Sequence, residues 1–373
     1  MKAQPEALKG RDFKSFYVGN ILTVTNMNKL ASIFAFIFLL TNITFAQSDE
    51  INKLVEAGIA LHDSGDYQGA LLKYNEALKL DPNSALVNYE IAYTQMSLGN
   101  YSESIKHCDL VLKTNTNLNK DAYIIKGSSL DYMGNSNEAI KVYKTGLKKF
   151  KNSFLLHYNI ALTYAKINNL KEAEKHLQIA LTNNPFHVSS SLLLTVIQKN
   201  KNLRIKYLST CTYFLLLEPK SQRARNNFRD YHRILKPKNE YSENKEGNKT
   251  YNIYINKESQ KDEFSSTEII YSINRSYLDK NIEGNSTKSN FDKFSDQVDA
   301  FFLSITTAKL NANSWWNFYV GFYTALYNSE HYITAKYLLA VNLFDEEVDE
   351  WIELNKDTIQ SYYKWHESYF YSK

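Results

Sequence analysis

The sequence predicts an all-α chain of helical hairpins stacked in chain order, followed by a polar stretch and a further helical part. Three observations carry this. Helix breakers are scarce, with 5 Pro and 12 Gly in 373 residues. Small residues return at a spacing of about 34 residues, which is room for two short helices and their turns. Gly65, Gly99 and Gly134 fall at the middle of successive intervals, where a tight helix–helix turn needs a positive φ that is cheap only for Gly. A hydrophobic content of 43% fits a folded chain. The 28 Tyr and 20 Phe lower intrinsic helix propensity, so packing must supply the stability.

The first segment reads as an address. Lys29 precedes the apolar run Leu30 to Leu40, then Thr41 to Phe45, Ala46 and the polar Gln47-Ser48-Asp49-Glu50. A basic start, a short apolar core and a small-residue exit form a secretory signal peptide. The core is short for a membrane span of about 20 residues, so cleavage after Ala46 is expected. Glu6, Arg11, Asp12 and Lys14 make residues 1–26 an untidy leader, and Met27 is the better start. The ending Thr44-Phe45-Ala46-Gln47 and the Asn/Lys-rich, Pro-poor composition resemble exported proteins of Bacteroidetes-type bacteria, which implies a location in the periplasm or at the outer membrane of a Gram-negative cell. Any membrane association would come through an anchor or a partner.

Repeats follow. In the unit 51–84, Ala57 and Gly58 stand at positions 7 and 8, Gly65 at the turn, Tyr67 at 17, Ala70 at 20, Tyr74 at 24, Ala77 at 27 and Pro82 at 32. The unit 85–118 places Ala92, Gly99, Tyr101, Ser104, Cys108 and Val111 in the same register. The unit 120–153 gives Gly127, Gly134, Ala139, Tyr143 and Gly146, and 154–187 gives Ala161, Tyr164, Ala173, Leu177, Ala180 and Pro185. Asn168 takes the turn place in the fourth unit. Small side chains at positions 8 and 20 let two helices cross closely, and rings at 24 fill the space between hairpins. This pattern resembles the tetratricopeptide-repeat family, which implies a right-handed α-α superhelix. The same resemblance implies a concave groove lined by positions 2, 5, 9, 12 and 13 of each unit.

A fifth, degenerate unit spans 188–221, with Tyr207 at the small position 20 and Thr195 at 8. A helix over 222–237 ends at Pro237. Residues 238–290 are polar and weakly periodic and read as a linker, with a short strand near Tyr251 to Ile255 as the alternative. Helical spacing returns over 291–373, where Trp316, Tyr319, Phe322, Tyr323, Tyr332, Ala335 and Leu339 mimic an eroded repeat before a closing helix.

No catalytic or metal motif is present: the chain has no His-Glu-x-x-His, no Cys-x-x-Cys, no phosphate-binding Gly-rich loop and no Gly-x-Ser-x-Gly elbow. No enzyme activity and no cofactor are expected. Cys108 and Cys211 read as two separate semi-buried thiols. The net charge of +4 comes from interleaved Lys and Glu, not the basic stripe a nucleic acid needs. A small-molecule ligand is not the expected partner; a protein or peptide is. The resemblance places Tyr89, Tyr93, Asp121, Asp131, Tyr132 and Tyr158 in the groove, with no Lys/Asn/Arg clamp for a C-terminal carboxylate. The competing expectation is a regulatory protein that senses a ligand or glycan through the aromatic C-terminal part, on Trp315 or Trp316.

Overall fold

A computed structural model describes residues 48–236, 258–280 and 288–371, together with the backbone of two short strands. The proposed signal segment and the proposed start at Met27 lie outside the described residues. The chain divides into two compact units, Met1–Ser129 and Leu130–Lys373, each taken in turn below. Among the described residues no helix is long and apolar enough to cross a membrane.

The first unit holds α1 (48–63), α2 (Tyr67–Leu80), α3 (Ala85–Ser97), α4 (Tyr101–Leu112) and most of α5 (Asn119–Tyr132). These helices come in consecutive pairs, as the repeat register predicts. Local chemistry starts them: Asp66 accepts from the Gly69 amide at 2.9 Å to cap α2, and Ser84 accepts from Val87 at 3.4 Å to cap α3. Gly65 has φ 88° at the first turn. The crossing of α1 and α2 is close enough that a Cβ on Gly58 would lie 2.3 Å from Cε1 of the buried Tyr74. Val55, Ala70, Leu71, Tyr74, Ala77, Val87 and Ile91 form the core around it. At the next crossing the small residue is Ser104, whose hydroxyl donates to the Ala92 carbonyl at 2.8 Å.

The second unit continues with α6 (Ser136–Lys149), α7 (Phe154–Lys166), α8 (Leu170–Asn183), α9 (Val188–Asn200), α10 (Arg204–Leu217) and α11 (Gln222–Leu235). Asn168 and Asn202 occupy the turn position with φ 59° and 56°, the least costly substitutes for Gly in that conformation. Helix α10 is the exception among the second helices of the pairs. Every residue from Ile205 to Leu216 is buried, whereas α6 and α8 each bury a stripe. The later helices are α13 (Asn290–Thr306), α14 (Asn317–Tyr327), α15 (Tyr332–Ala340), α16 (Glu346–Leu354) and α17 (Lys356–Tyr371), of which α14, α15 and α17 pack on α10. Tyr213 of α10 lies edge-on to Phe318, Tyr319 and Phe322 of α14, and to His366 of α17. The Tyr323 hydroxyl donates to the Ser209 carbonyl. This explains Tyr207 at a position reserved for small residues: it is buried in a packing specific to this hairpin. Cys108 and Cys211 are both free and buried.

Part of the stretch expected as a polar linker, 238–290, is structured among the described residues. Helix α12 (Ser265–Lys280) stands in it, preceded by a short 3-10 turn (Glu258–Lys261) and an antiparallel ribbon of β1 (Tyr241–Glu243) and β2 (Lys249–Tyr251). Residues 252–257, which held most of the alternative strand, lie outside the described residues. Periodicity failed here because α12 is inside out. Its buried stripe is Thr267, Glu268, Tyr271, Ser272 and Arg275, following Phe264, while Ile269, Ile270, Ile273 and Tyr277 are exposed. Residues of α10 meet part of the polar stripe, while Thr267 Oγ1 and the Tyr271 hydroxyl are buried with no hydrogen-bond partner among the described residues. Arg204 Nη2 lies 2.6 Å from Glu268 Oε1 and 2.5 Å from the Ser272 hydroxyl. Lys206 lies 2.8 Å from Asp262 and 3.1 Å from Glu263.

Candidate functional site

The predicted groove residues sit on the first helix of each pair, where side chains three and four apart share a face. In the first unit Tyr89 and Tyr93 lie one turn apart on α3. Tyr93 is 41% exposed and stacks on the His62 imidazole with centroids 4.8 Å apart and planes at 18°. His62 Nδ1 is 2.8 Å from the Thr94 hydroxyl, which fixes the ring under Tyr93. Tyr89 is half-buried. Burial, then Asp121 and Glu90, pushes its hydroxyl up to about 12, so it remains a protonated donor. Glu90 is itself pushed up by burial, then by Asp63. Asp121 lies 3.9 Å from Lys120. The patch is therefore aromatic with an acidic border. Glu90, at position 6 of its repeat, was outside the positions the resemblance marked.

The second unit carries the other predicted residues. Tyr132 is 65% exposed at the end of α5. Asp131 beside it works inside the fold: it accepts from the Ser136 hydroxyl at 2.6 Å at the start of α6 and pairs with Lys166 of α7 at 3.4 Å. Tyr158 is half-buried, edge-on to His187 with centroids 4.9 Å apart. Its hydroxyl is pushed up by burial and held back by Ser189 and Arg223. Arg223 is gripped by Glu218, with Nε 2.6 Å from Oε1.

Three of the five ninth positions of the repeats share a feature, while Ile59 is half-buried and the third repeat has the polar, half-buried Ser128 there. Tyr93 in the first unit, and Leu162 and Val196 in the second, are 41%, 43% and 40% exposed. Each is an apolar side chain left in solvent at an equivalent place. Val196 went unread because the fifth repeat is degenerate, although the 34-residue register reaches it.

Of the two tryptophans expected to sense a ligand in the aromatic C-terminal part, one is buried and one is partly buried. Trp316 is buried, and Trp315 stacks on Phe318 with planes at 9° and donates its Nε1–H to the Thr182 hydroxyl at 3.0 Å. Among the described residues no group of three or more His, Cys, Asp or Glu is placed to hold a metal ion.

Comparison with known proteins agrees with the repeat geometry. A family model for the TPR repeat matches residues 58–99, and one for the tetratricopeptide repeat matches 126–188. Human Tetratricopeptide repeat protein 28 is 26% identical over 149 residues, which is 39% of this chain and 6% of that protein. The Hsp70-Hsp90 organizing protein of Triticum aestivum is 28% identical over 131 residues, 33% of this chain and 22% of that protein. The matches thus span well under a third of either relative. Among solved structures, a thermophilic TPR protein of Thermus thermophilus, TTC0263, is 20% identical over 50% of this chain and 98% of that one, with a TM-score of 0.42. Proteins with such repeats are generally non-catalytic scaffolds for protein interaction. Matched repeats and consecutive helix pairs together identify this as an all-α chain that carries tetratricopeptide repeats.

Proposed function

We propose that this chain is a protein-interaction scaffold of the cell envelope, without catalysis of its own, that holds a peptide or an extended protein segment on the first-helix faces of its repeats. The observation that carries the reading is the apolar side chain exposed at position nine of three repeats, Tyr93, Leu162 and Val196. Burying a side chain of this size gains about 1.5–3 kcal/mol, and Leu162 and Val196, at equal register within the second unit, suit an extended partner. Tyr89 and Tyr93 add rings that lose little rotamer freedom on contact and keep a hydroxyl for hydrogen bonding. The envelope location rests on the signal-like run Leu30 to Ala46.

The test is site-specific photocrosslinking in the native cell from position 93, from position 162, and from the exposed Leu72 on the second helix of the first pair as a control. The reading expects one discrete product from 93 and 162, in the envelope fraction, and none from 72. It expects Tyr89→Ala with Tyr93→Ala to weaken capture at least thirtyfold, equal to about 2 kcal/mol, with unfolding little changed. Capture that survives in the folded double variant places the partner elsewhere. A product found only in the cytoplasm removes the envelope assignment.

A further inference from the structure

A cavity of about 340 Å³ opens in the second unit between α11 and α13. Its wall residues follow helical spacing: Phe228 and His232 from α11 with Lys236 just past its end, and Lys293, Phe294 and Gln297 from α13. The floor is aromatic. Phe228 and Phe294 have ring centroids 5.7 Å apart, and His232 is edge-on to Phe294 at 5.5 Å. The mouth is cationic. Neither Lys236 nor Lys293 has a carboxylate within 4.0 Å among the described residues, while neighbouring Lys288 is paired with Asp296 at 2.6 Å. Helix α11 adds Arg225, Arg229 and Arg233 against its one acid Asp230, while Arg223 is paired with Glu218. That acid already binds Lys199 and Arg233.

Two further features belong to the same place. Gln297 Oε1 is buried with no hydrogen-bond partner among the described residues. A buried, unpaired amide oxygen costs about 1–3 kcal/mol, and the amide presents a donor or an acceptor according to its flip. At the rim, Asn342 donates to the Pro219 carbonyl at 2.8 Å. Two residues on, Phe344 holds the left-handed conformation with φ 56° and is 72% exposed. A bulky residue in that region is strained, and such strain gathers at functional sites.

We infer that this cavity binds a small organic anion, one flat apolar ring that bears a carboxylate or a phosphate group. The volume lies near the lower end of small-ligand pockets, roughly 300–1,000 Å³, which suits a single ring and its charged group. Phe228 and Phe294 take the ring. Lys236 and Lys293 take the anionic oxygens, and the Gln297 amide completes the polar shell. Burial, then the charge of Lys236, holds His232 down at about 4, so at neutral pH its imidazole is uncharged and serves as an edge of the apolar floor. This site is separate from the repeat faces and from Trp315 and Trp316.

Calorimetric titration of the full chain with four probes tests it: benzoate, phenyl phosphate, inorganic phosphate and phenol. The expected result is saturable binding of benzoate or phenyl phosphate, at least tenfold tighter than inorganic phosphate and phenol, and weaker as salt rises. The tighter of the two says whether carboxylate or phosphate is preferred. Lys236→Gln with Lys293→Gln removes mouth charges from side chains outside the core, and should weaken the anions at least tenfold with an unchanged melting temperature. The inference is overturned if neither ring anion binds by 10 mM, if phenol binds as well as the anions, or if the double variant binds them as tightly as the parent chain.

Discussion

Gly58→Ala is the sharpest test of the helix crossings. A Cβ on Gly58 meets Tyr74 at 2.3 Å from Cε1, 2.7 Å from Cδ1 and 2.8 Å from Cζ, where ordinary contact begins at 3.4 Å. The ring must therefore retreat by about 1 Å. It has little room, because Tyr74 is fully buried in the core of the first hairpin. Overpacking of this kind costs about 1–3 kcal/mol, and a shift of this size on a rigid ring belongs at the upper end. Replacing Gly by Ala in a helix interior returns about 1 kcal/mol. The net expectation is about 2 kcal/mol of destabilisation. Repeats open locally, so the readout is amide hydrogen exchange in α1 and α2, which should quicken about thirtyfold. A Tyr74→Leu background removes the obstructing ring, so Gly58→Ala should cost much less there. Exchange that is unchanged or slower in Gly58→Ala would refute the close crossing and with it the repeat register.

Two further predictions concern buried charge. His157 and His176 join through their Nδ1 atoms at 2.9 Å, and burial, followed by the His157 charge, lowers His176 from 6.5 to about 4. A base whose pKa is lower in the folded chain takes up protons on unfolding, so its contribution is full above pH 6.5 and is lost as pH falls through 4. The loss amounts to about 3 kcal/mol at most, and urea unfolding from pH 7.5 to 4 should show a shallower acid slope in His176→Asn; equal slopes would count against it. Arg204→Met leaves Glu268 buried and unpaired and should cost about 3–5 kcal/mol, read as faster exchange in α12, whereas Arg204→Met with Glu268→Met should recover most of it. A single variant no worse than the double would show that α12 is held by other contacts.

The repeats were legible because their information is local and periodic. Gly58, Ala70, Ala92, Ser104, Ala161 and Ala173 are small for one steric reason, and that reason recurs at a fixed interval. The turn residues at 65, 99, 134 and 168 report a backbone conformation that few side chains accept. Those two signals are enough to pair α1 with α2, α3 with α4, α5 with α6 and α7 with α8. The helix faces that carry Tyr89, Tyr93, Tyr132 and Tyr158 follow from the same register, but how much of each ring meets solvent does not. Asp131 shows the difference, since its engagement with Lys166 depends on a helix outside the pair that the linear pattern defines.

What remained to the tertiary structure is long-range. Helix α12 is invisible to hydrophobic periodicity because its buried stripe is polar, and Glu268 is tolerable inside only because Arg204, 64 positions earlier, lies against it. Enclosure of α10 depends on rings from α14 and α17 that reach it from more than 100 residues away. The cavity between α11 and α13 joins Lys236 to Lys293 across a segment with no pattern of its own. By itself the sequence determined the repeating hairpins, because each crossing is settled by steric demands within some 34 residues. The folded chain decided which polar groups could be buried and which rings stayed in water, because desolvation depends on neighbours that only packing brings together.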